Sequence, residues 1–376
     1  MSGGMEIRTP YFLVDENRLR HNLEILKSVS LRTGCKILLA QKAFSMFSVY
    51  PLLRGYLAGT TASGIYEARL GFEEFGGETH VFSPAYREDE MEELLQYADH
   101  FVFNSLSQLE KYGMRIKAAG KSVGLRVNPE CSTQEGHAIY DPCAPGSRLG
   151  TKRDDFDERY LPLLDGLHFH TLCEQNSDAL EVTARAFEEK FGKYLSGMKW
   201  VNFGGGHHIT REDYDIETLV RVICHFHDTY GVQVYLEPGE AVVLNAGELV
   251  TRVLDVVENQ IRIAILDASA ACHMPDVLEM PYRPPLKNSG APNEKAYTYR
   301  LAGPTCLAGD VIGDYSFDEP LVEGSNLVFE DMALYTMVKT NTFNGMPLPS
   351  IVYRDGSGCC RVIRRFSYED FKERLS

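Results

Sequence analysis

The chain has 376 residues, 44% of them hydrophobic and 24% charged, which is typical of a soluble globular protein large enough for two domains. Its net charge of −15 argues against nucleic acid or an anionic membrane surface as partners. The sequence shows no signal-peptide core and no apolar run near the roughly 20 residues of a bilayer span. Nine scattered cysteines without a CxxC pair favour a reduced, cytoplasmic protein over a disulfide framework.

Histidine spacing offers only weak metal signals. His207 and His208 are adjacent, and His225 and His227 are two residues apart. Neither pair is accompanied by further ligands at the spacing of a metal site, so we predict no bound metal.

In chain order, an extended segment TPYFLV and a helix from about Glu16 to Ser30 precede a repeating pattern. Eight strand-like runs follow, most of them separated by amphipathic segments. The runs are KILLAQKA (36–43), GTTAS (59–63), THVFSP (79–84), HFVFN (100–104), SVGLRVNP (122–129), GLHFHT (166–171), KWVNFGGG (199–206) and QVYLEPG (233–239). This alternation predicts an α/β fold, a (β/α)8 TIM-type barrel over residues 15–240.

From Ala241 onward the pattern changes to strands joined by turns. The predicted strands are LVTRVLDVVE, IRIAILDAS, AYTYRLAG, NLVFED, SIVYRD and CRVIRRF. Residues 273–295 read as a long loop, and YEDFKERL as a closing helix. We therefore predict a β-rich domain over residues 241–376 that also takes up residues 1–14 with the N-terminal strand.

Lys42 stands at the far end of the first predicted barrel strand, after the apolar run 37–40. A lysine pulled into the core there would have a lowered pKa and become a nucleophilic amine able to form a Schiff base. The alternative is a strand-end lysine whose ammonium reaches solvent. Barrel chemistry gathers at the C-terminal ends of the strands, so the other strand ends decide between these readings.

The sixth predicted strand ends in His168-Phe169-His170. Alternation along a strand places both histidines on one face, with His170 nearer the mouth of the barrel. An imidazole there could lie flat on an aromatic cofactor, or it could be a hydrogen-bonded core histidine.

The seventh and eighth predicted strands end in Gly204-Gly205-Gly206 and in Glu237. Glycines let backbone amides approach an anion closely, and phosphate sites recur at the seventh strand of such barrels. A carboxylate at the mouth could pair with a protonated ring nitrogen or remain solvated. Together with Lys42 and His170, these residues predict a pyridoxal phosphate site.

These residues resemble those of the fold-type III pyridoxal phosphate decarboxylases, the ornithine/diaminopimelate decarboxylase superfamily related to alanine racemase. The resemblance spans nearly the whole chain. It implies that pyridoxal 5'-phosphate is attached to Lys42, that His170 stacks on its ring and that Gly204, Gly205 and Gly206 bind its phosphate. It also implies that Glu237 contacts the pyridine nitrogen.

The predicted β-rich domain carries the rest of the resemblance. GPTCLAGD (303–310) looks like the superfamily element whose Cys306 and Asp310 reach the active site of the other subunit in a head-to-tail homodimer. Tyr335, in ALYTMVKTNTFNG, matches a tyrosine near the phosphate. The resemblance makes Cys306 the proton donor to the α-carbon, with a buried structural thiol as the alternative, and Asp310 a contact of the substrate amine. Arg148 in GSRLG is a weaker candidate for the cofactor environment.

The closest resemblance is to the carboxynorspermidine/carboxyspermidine decarboxylases, through strings such as ASGIYEARLGFEEFGGETHVFS, HFHTLCEQ, YLEPGEAV and YTMVKTNTFNG. This branch implies the removal of carbon dioxide from a carboxylated polyamine to give norspermidine or spermidine. Glu240 stands where diaminopimelate decarboxylases carry an arginine for a distal carboxylate. Glu240 and Asp276 are therefore expected to bind substrate ammonium groups through charge-assisted hydrogen bonds, the alternative for Asp276 being a turn residue.

Three other functions stay open at this point. One is decarboxylation of diaminopimelate or another basic amino acid, which Glu240 disfavours when the substrate has a distal carboxylate. A racemase is disfavoured because Glu237 stabilises a carbanion on the cofactor. A non-catalytic regulatory homologue is the third, and a visible absorption spectrum would separate it from a holoenzyme.

Overall fold

The computed structural model describes residues 7–134 and 138–376. Two compact units are evident, one from His21 to Val242 and one that combines Val243–Ser376 with the chain up to Arg20. The chain begins with strand β1 (Tyr11–Asp15) and helix α1 (Glu16–Thr33). Within the described ranges, no helix has the length and apolar character needed to cross a membrane.

The first unit is a closed barrel of eight parallel strands. They are β2 (Lys36–Ala40), β3 (Gly59–Ala62), β4 (Glu78–Phe82), β5 (His100–Phe103), β6 (Ser122–Arg126), β7 (Gly166–His168), β8 (Trp200–Asn202) and β9 (Gln233–Leu236). Pairing of β9 with β2 closes the barrel. The eight predicted runs and the predicted (β/α)8 class are confirmed, although every strand ends one to four residues before its predicted run does.

Helices lie between most of these strands. They are α2 (Tyr50–Leu53), α3 (Ile65–Leu70), α4 (Met91–Tyr97), α5 (Leu106–Ala118), α6 (Ser177–Leu195) and α7 (Ile216–Tyr230), and α8 (Glu240–Val243) follows the last barrel strand. Both ends of helix α7 are determined by residues next to it in the sequence. The Asp215 carboxylate caps the N-terminus by accepting a hydrogen bond from the Thr218 amide at 3.1 Å. Gly231 ends the helix in the left-handed conformation, with φ of 69°. The described part of the β6–β7 connection has only the 3₁₀ turns Ala138–Tyr140 and Glu158–Leu163 in place of a barrel helix.

The single tryptophan fills the barrel interior on the side away from the mouth. Trp200 is buried with Leu38, Val102 and Tyr235. A Cβ at Gly166 would lie 2.1 Å from the indole, and one at Gly124 would lie 2.3 Å from it. The two glycines, Gly124 on β6 and Gly166 on β7, are therefore required by the bulk of Trp200, which projects from β8.

The second unit is built around a sheet in the order β13-β12-β11-β10-β1-β15-β16, with β14 also paired to β10. The remaining elements are β10 (Gly247–Asn259), β11 (Ile261–Leu266), α9 (Ala270–His273), α10 (Asp276–Glu279), β12 (Tyr297–Ala302), β13 (Val311–Phe317), β14 (Asn326–Glu330), β15 (Ser350–Arg354), β16 (Cys360–Arg364) and α11 (Tyr368–Lys372). Strand β1 pairs with β10 and β15, so this sheet takes up the N-terminal strand as predicted. The prediction missed β13, whose centre carries Gly313 and Asp314, two residues that are unfavourable in strands.

Candidate active site

Hydrogen bonds of the Gln41 side chain fix the turn that carries Lys42. The Gln41 side chain is buried, donates through Nε2 to the carbonyl of Glu67 at 2.7 Å and accepts from the Tyr50 hydroxyl at 3.0 Å. Lys42 itself follows β2 by two residues and is exposed, which favours the alternative in which its ammonium reaches solvent. Its surroundings are nevertheless dense with protein atoms: desolvation lowers the pKa of the amine, and the charge of Glu237 opposes that shift.

Glu237 is a buried carboxylate just after β9. Its Oε1 accepts from Nδ2 of Asn202 at 2.8 Å, and its Oε2 lies 3.5 Å from Nε2 of His168. Burial alone would raise the pKa of Glu237, but His168, together with Asn202, lowers it to about 2. Desolvation lowers the pKa of His168, whose Nε2 lies near Glu237 without the geometry of a hydrogen bond, so Asn202 supplies the well-formed hydrogen bond to this carboxylate.

His170 lies beyond the end of β7 and is tied to the glycine turn. The Gly205 amide donates to Nδ1 of His170 at 3.3 Å, which assigns the ring proton to Nε2. Desolvation, followed by the charge of Lys42, holds the pKa of His170 well below its usual value, so the ring is neutral. The ligating atoms of His168, His170 and Glu237 all lie within 4.8 Å of one another, so the structure brings together these three strand-end side chains.

The three glycines have a packing reason of their own. A Cβ at Gly204 would lie 2.6 Å from the His170 side chain, one at Gly205 would lie 2.7 Å from the Glu237 carbonyl, and one at Gly206 would lie 2.0 Å from the Leu172 carbonyl. The amides of Gly204 and Gly205 already donate to Asn202 and His170. The close approach of His170, Glu237 and Leu172 to these three positions therefore explains why all three are glycine. Two of the three backbone amides donate hydrogen bonds within the protein.

Arg126 is a site residue that sequence reasoning missed. It ends β6, is buried, donates to the His170 carbonyl at 3.2 Å and lies over the Phe82 ring at 4.7 Å. Desolvation, partly offset by Glu237, lowers its pKa to about 10. Its place at a strand end in LRVNP was the available signal, as it was for Lys42.

Glu240, at the start of α8, lies beside His208. Nε2 of His208 is 3.2 Å from Oε1 of Glu240, and Glu174 completes a group whose three ligating atoms lie within 4.8 Å. His207 instead places Nε2 3.3 Å from the Phe203 carbonyl, and His225 faces Glu188 at 2.8 Å. The adjacent histidines therefore have separate roles.

At the opposite end of the barrel, His80 and His100 stack at 3.9 Å with their planes 8° apart, beside Glu78. Glu78 also holds the Lys36 ammonium and accepts from the Tyr235 hydroxyl at 2.8 Å. Parallel rings direct their nitrogen lone pairs along parallel lines, and Lys36 supplies a cation already, so this group is better suited to a structural ion pair than to a metal ion.

The remaining predicted site residues belong to the second unit. Cys306 is exposed, so the alternative of a buried structural thiol was wrong. Tyr335 has φ of 48°, an uncommon backbone conformation for a non-glycine residue and one that recurs at functional sites. Asp276 forms an ion pair with Lys339. Asp310 is buried and accepts from the hydroxyls of Ser269 and Thr305, contacts that favour a structural role over its predicted contact with a substrate amine.

Comparison with known proteins assigns the chain to a protein family. The family model described as pyridoxal-dependent decarboxylase, C-terminal sheet domain, matches residues 14–333. The chain belongs to this family of pyridoxal-dependent decarboxylases.

Two similar relatives cover almost the full length. The chain is 46% identical to the carboxynorspermidine/carboxyspermidine decarboxylase of Campylobacter jejuni, with 98% of this chain and 99% of the relative covered. It is 42% identical to the carboxyaminopropylagmatine decarboxylase of Synechocystis, with 98% and 95% covered.

Solved structures of decarboxylases are similar to this one over almost the full chain. The carboxynorspermidine decarboxylase of Campylobacter jejuni, in complex with norspermidine, superposes with a TM-score of 0.92 at 44% identity, over 98% of this chain and 100% of that one. The diaminopimelate decarboxylase of Helicobacter pylori, in complex with L-lysine, has a TM-score of 0.84 at 18% identity, over 98% of both chains, and is similar in fold alone.

Proposed function

We propose that this enzyme decarboxylates carboxynorspermidine, carboxyspermidine or both, with pyridoxal 5'-phosphate as its cofactor. One observation carries the proposal: Lys42, His170 and Glu237 follow three strands of one parallel barrel and therefore share its C-terminal mouth. The identity of 46% to a full-length carboxynorspermidine/carboxyspermidine decarboxylase supports the choice of substrate.

The residues present fit this cofactor. The amine of Lys42 has a lowered pKa, as a lysine that attacks an aldehyde requires. The carboxylate of Glu237 is held ionised by Asn202 and His168, as a partner of a protonated ring nitrogen requires. Bound pyridoxal phosphate supplies the electron sink for the pair left behind when a carboxylate departs as carbon dioxide.

Each protein group then has a defined task. Lys42 would attach the cofactor covalently, His170 would lie against its ring, and Glu237 would accept a hydrogen bond from the ring nitrogen. A negative Glu237 keeps that nitrogen protonated. The glycine turn would face the phosphate, with Gly206 as the amide donor because Gly204 and Gly205 are engaged.

The second domain is proposed to complete the site in a homodimer. The barrel domain, predicted as residues 15–240, would carry the cofactor, and residues 241–376 with 1–14 would contribute to the dimer interface and to the partner's site. Cys306 would hold the proton for the α-carbon, and its exposure permits that task. Tyr335 would contact the phosphate, and Asp276 would bind an ammonium group in exchange for Lys339.

Substrate selection is proposed to rest on Glu240. A carboxylate at this position attracts an alkylammonium chain and repels the distal carboxylate of diaminopimelate. Carboxyaminopropylagmatine is a second candidate substrate, because the relative that is 42% identical bears its name. A guanidinium and an ammonium differ in shape and donor geometry, so kinetics can separate them.

The test compares kcat/KM for carboxynorspermidine, carboxyspermidine, carboxyaminopropylagmatine, diaminopimelate and ornithine with one preparation of holoenzyme. We expect one or both carboxylated triamines to be preferred by at least about 100-fold over diaminopimelate, since its carboxylate meets Glu240. A preference between the two triamines is expected to be only about 10–200-fold, the effect of one methylene. Preference for the agmatine derivative would replace the proposed substrate, and preference for diaminopimelate or ornithine would overturn the proposal.

A further inference from the structure

The carboxylate proposed to receive the substrate chain has an unusual neighbour. Glu174, His208 and Glu240 form a group at the barrel mouth, hereafter the acid–imidazole cluster, and one ligating atom from each lies within 4.8 Å of the others. Two carboxylates are placed around one imidazole. The cluster therefore places two carboxylates beside His208, whereas one hydrogen-bond acceptor is enough to satisfy a neutral histidine.

His208 is buried in this cluster, with 8% of its surface exposed. Nε2 lies 3.2 Å from Oε1 of Glu240, yet neither ring nitrogen meets the geometry of a hydrogen bond. A buried polar ring without well-formed hydrogen bonds is costly and calls for an explanation, as it does for His168 in the same barrel. Desolvation lowers the pKa of His208, but Glu240 and then Glu174 reverse the effect and raise it above its usual value.

The backbone holds Glu174 in place. Gln175 forms a parallel bridge with His207: its amide donates to the Gly206 carbonyl at 3.0 Å, and the His208 amide donates to the Gln175 carbonyl at 3.2 Å. Glu174, the residue just before these bonds, has φ of 54°, in the left-handed region that non-glycine residues rarely adopt. This strained residue is exposed and presents its carboxylate to the cluster, as expected of a ligand-binding position.

We propose that His208 is a positioning residue of the polyamine site: in the free enzyme its imidazolium lies between Glu174 and Glu240, and an ammonium group of the ligand takes that role and releases one proton from His208 to solvent. This inference rests on the proposed function, because it names how the same site receives its ligand. It adds Glu174 and His208 to the groups that recognise a positively charged chain.

The consequence is a linkage between ligand binding and pH. A second positive charge in the cluster disfavours the imidazolium, so binding and protonation of His208 compete. Affinity should therefore rise with pH until the raised pKa of His208 in the free enzyme is passed, and should be flat above it. The affinity for the ligand should change by about tenfold per pH unit when binding releases a full proton.

Other charged groups face His208 and set the size of this effect. Arg211 opposes the protonation of His208 and is itself paired with Asp213 at 2.5 Å. The Cys173 thiol, next to Glu174, senses Glu174, Glu240 and Lys42, but burial raises its pKa to about 12. Cys173 therefore stays protonated over the pH range in which His208 titrates, and His208 is the group of the cluster that exchanges a proton.

The test is calorimetric titration of the holoenzyme with norspermidine, the ligand named for the similar solved structure. Titrations in two buffers of different ionisation enthalpy, from pH 6 to pH 8.5, give the number of protons released. We expect the wild type to release up to one proton and its Kd to fall by up to about tenfold per pH unit. His208→Gln should lose this proton release and keep only the pH dependence that the ligand's own amines contribute.

His225→Gln is the matched control, because His225 also faces a glutamate, Glu188, at 2.8 Å on an exposed part of the chain. It should retain the wild-type proton release, and any titration of the ligand's own amines contributes equally to all variants. If His208→Gln does not fold, Glu240→Gln serves instead, because loss of that negative charge should also abolish the proton release.

Unchanged proton release in His208→Gln, or in its substitute Glu240→Gln, would overturn the inference. So would a wild-type Kd that is flat with pH, or loss of the coupling in the presence of EDTA, which would assign the cluster to a metal ion. Decarboxylation is measured on the same samples. Turnover and norspermidine binding without proton coupling would overturn this inference alone, whereas a wild type that neither binds norspermidine nor decarboxylates its precursors would overturn the proposed function as well.

Discussion

Asn202 donates a hydrogen bond through Nδ2 to Oε1 of Glu237 at 2.8 Å, and both side chains are buried. The other end of the same amide, Oδ1, accepts from the Gly204 backbone at 2.8 Å. One asparagine at the end of β8 thus orients the carboxylate after β9 and anchors the glycine turn. The ionised state of Glu237 depends on this amide and on His168.

Asn202→Ala should therefore weaken the binding of pyridoxal phosphate and slow decarboxylation. A hydrogen bond to a charged group contributes about 1.5–3 kcal/mol, so we expect cofactor affinity to fall by about 10- to 100-fold. Absorbance titration of the apoenzyme measures the affinity. Asn17→Ala, which removes an exposed hydrogen bond to the Gly356 carbonyl, is the control. Equal affinities for the two variants would contradict the role of Asn202.

Lys42→Ala should abolish the visible absorbance that the cofactor has when it is attached to a lysine. The control is Lys111→Ala, which removes an exposed lysine paired with Glu88. It should keep both absorbance and activity. A persistent band in the Lys42 variant would show that another lysine attaches the cofactor.

Glu240→Arg tests the electrostatic basis of selectivity. The substitution places a cation beside His208 and Glu174 and should raise KM for carboxynorspermidine by at least about 100-fold, with little change in cofactor affinity. Steady-state kinetics and absorbance titration separate the two effects. Selectivity unchanged between carboxynorspermidine and diaminopimelate would refute this role of Glu240.

Mixing of two inactive variants tests the shared site. If Cys306 of one subunit serves Lys42 of the other, hybrids of Lys42→Ala and Cys306→Ala contain one intact site of two. Random exchange at equal concentrations should then restore about a quarter of wild-type activity. Exchange is verified by mass spectrometry of differently tagged subunits. Absence of recovery after verified exchange would place each site within one chain.

Glu78 should make stability depend on acid pH. Burial alone would raise its pKa, but hydrogen bonds from His80, Lys36 and Tyr235 hold it far below the ordinary value. A depressed folded-state pKa stabilises the protein above the unfolded value of about 4.3, and this stabilisation is lost as pH falls below it. Glu78→Gln should lower the free energy of unfolding by about 1.5–3 kcal/mol at pH 7 and by less at pH 3.

Denaturant unfolding at the two pH values measures this dependence. The control is Glu92→Gln, because Glu92 is exposed and pairs with Arg115 at the surface. It should change the free energy of unfolding by less than about 1 kcal/mol. A difference between wild type and Glu78→Gln that does not shrink in acid would contradict the assignment.

The short-range pattern of apolar and polar residues was enough to predict the architecture. Strand β2 and the seven strands after it were predicted because apolar runs of strand length alternate with segments of helical period, and both signals are local. The same patterns predicted the sheet of the second unit with its β1 strand. Strand β13 was missed because Gly313 and Asp314 weaken its local signal, while pairing with β12 stabilises it in the fold.

The sequence by itself determined that Lys42, His170, the glycine turn, Glu237 and Glu240 follow barrel strands, since position along a strand is a one-dimensional property. Only the tertiary structure decided what these residues face. Closure of the barrel brings Asn202 to Glu237, Arg126 to the His170 backbone, and His208 with Glu174 to Glu240. Those contacts join residues far apart in the chain, so no local pattern encodes them, and they set which groups carry charge.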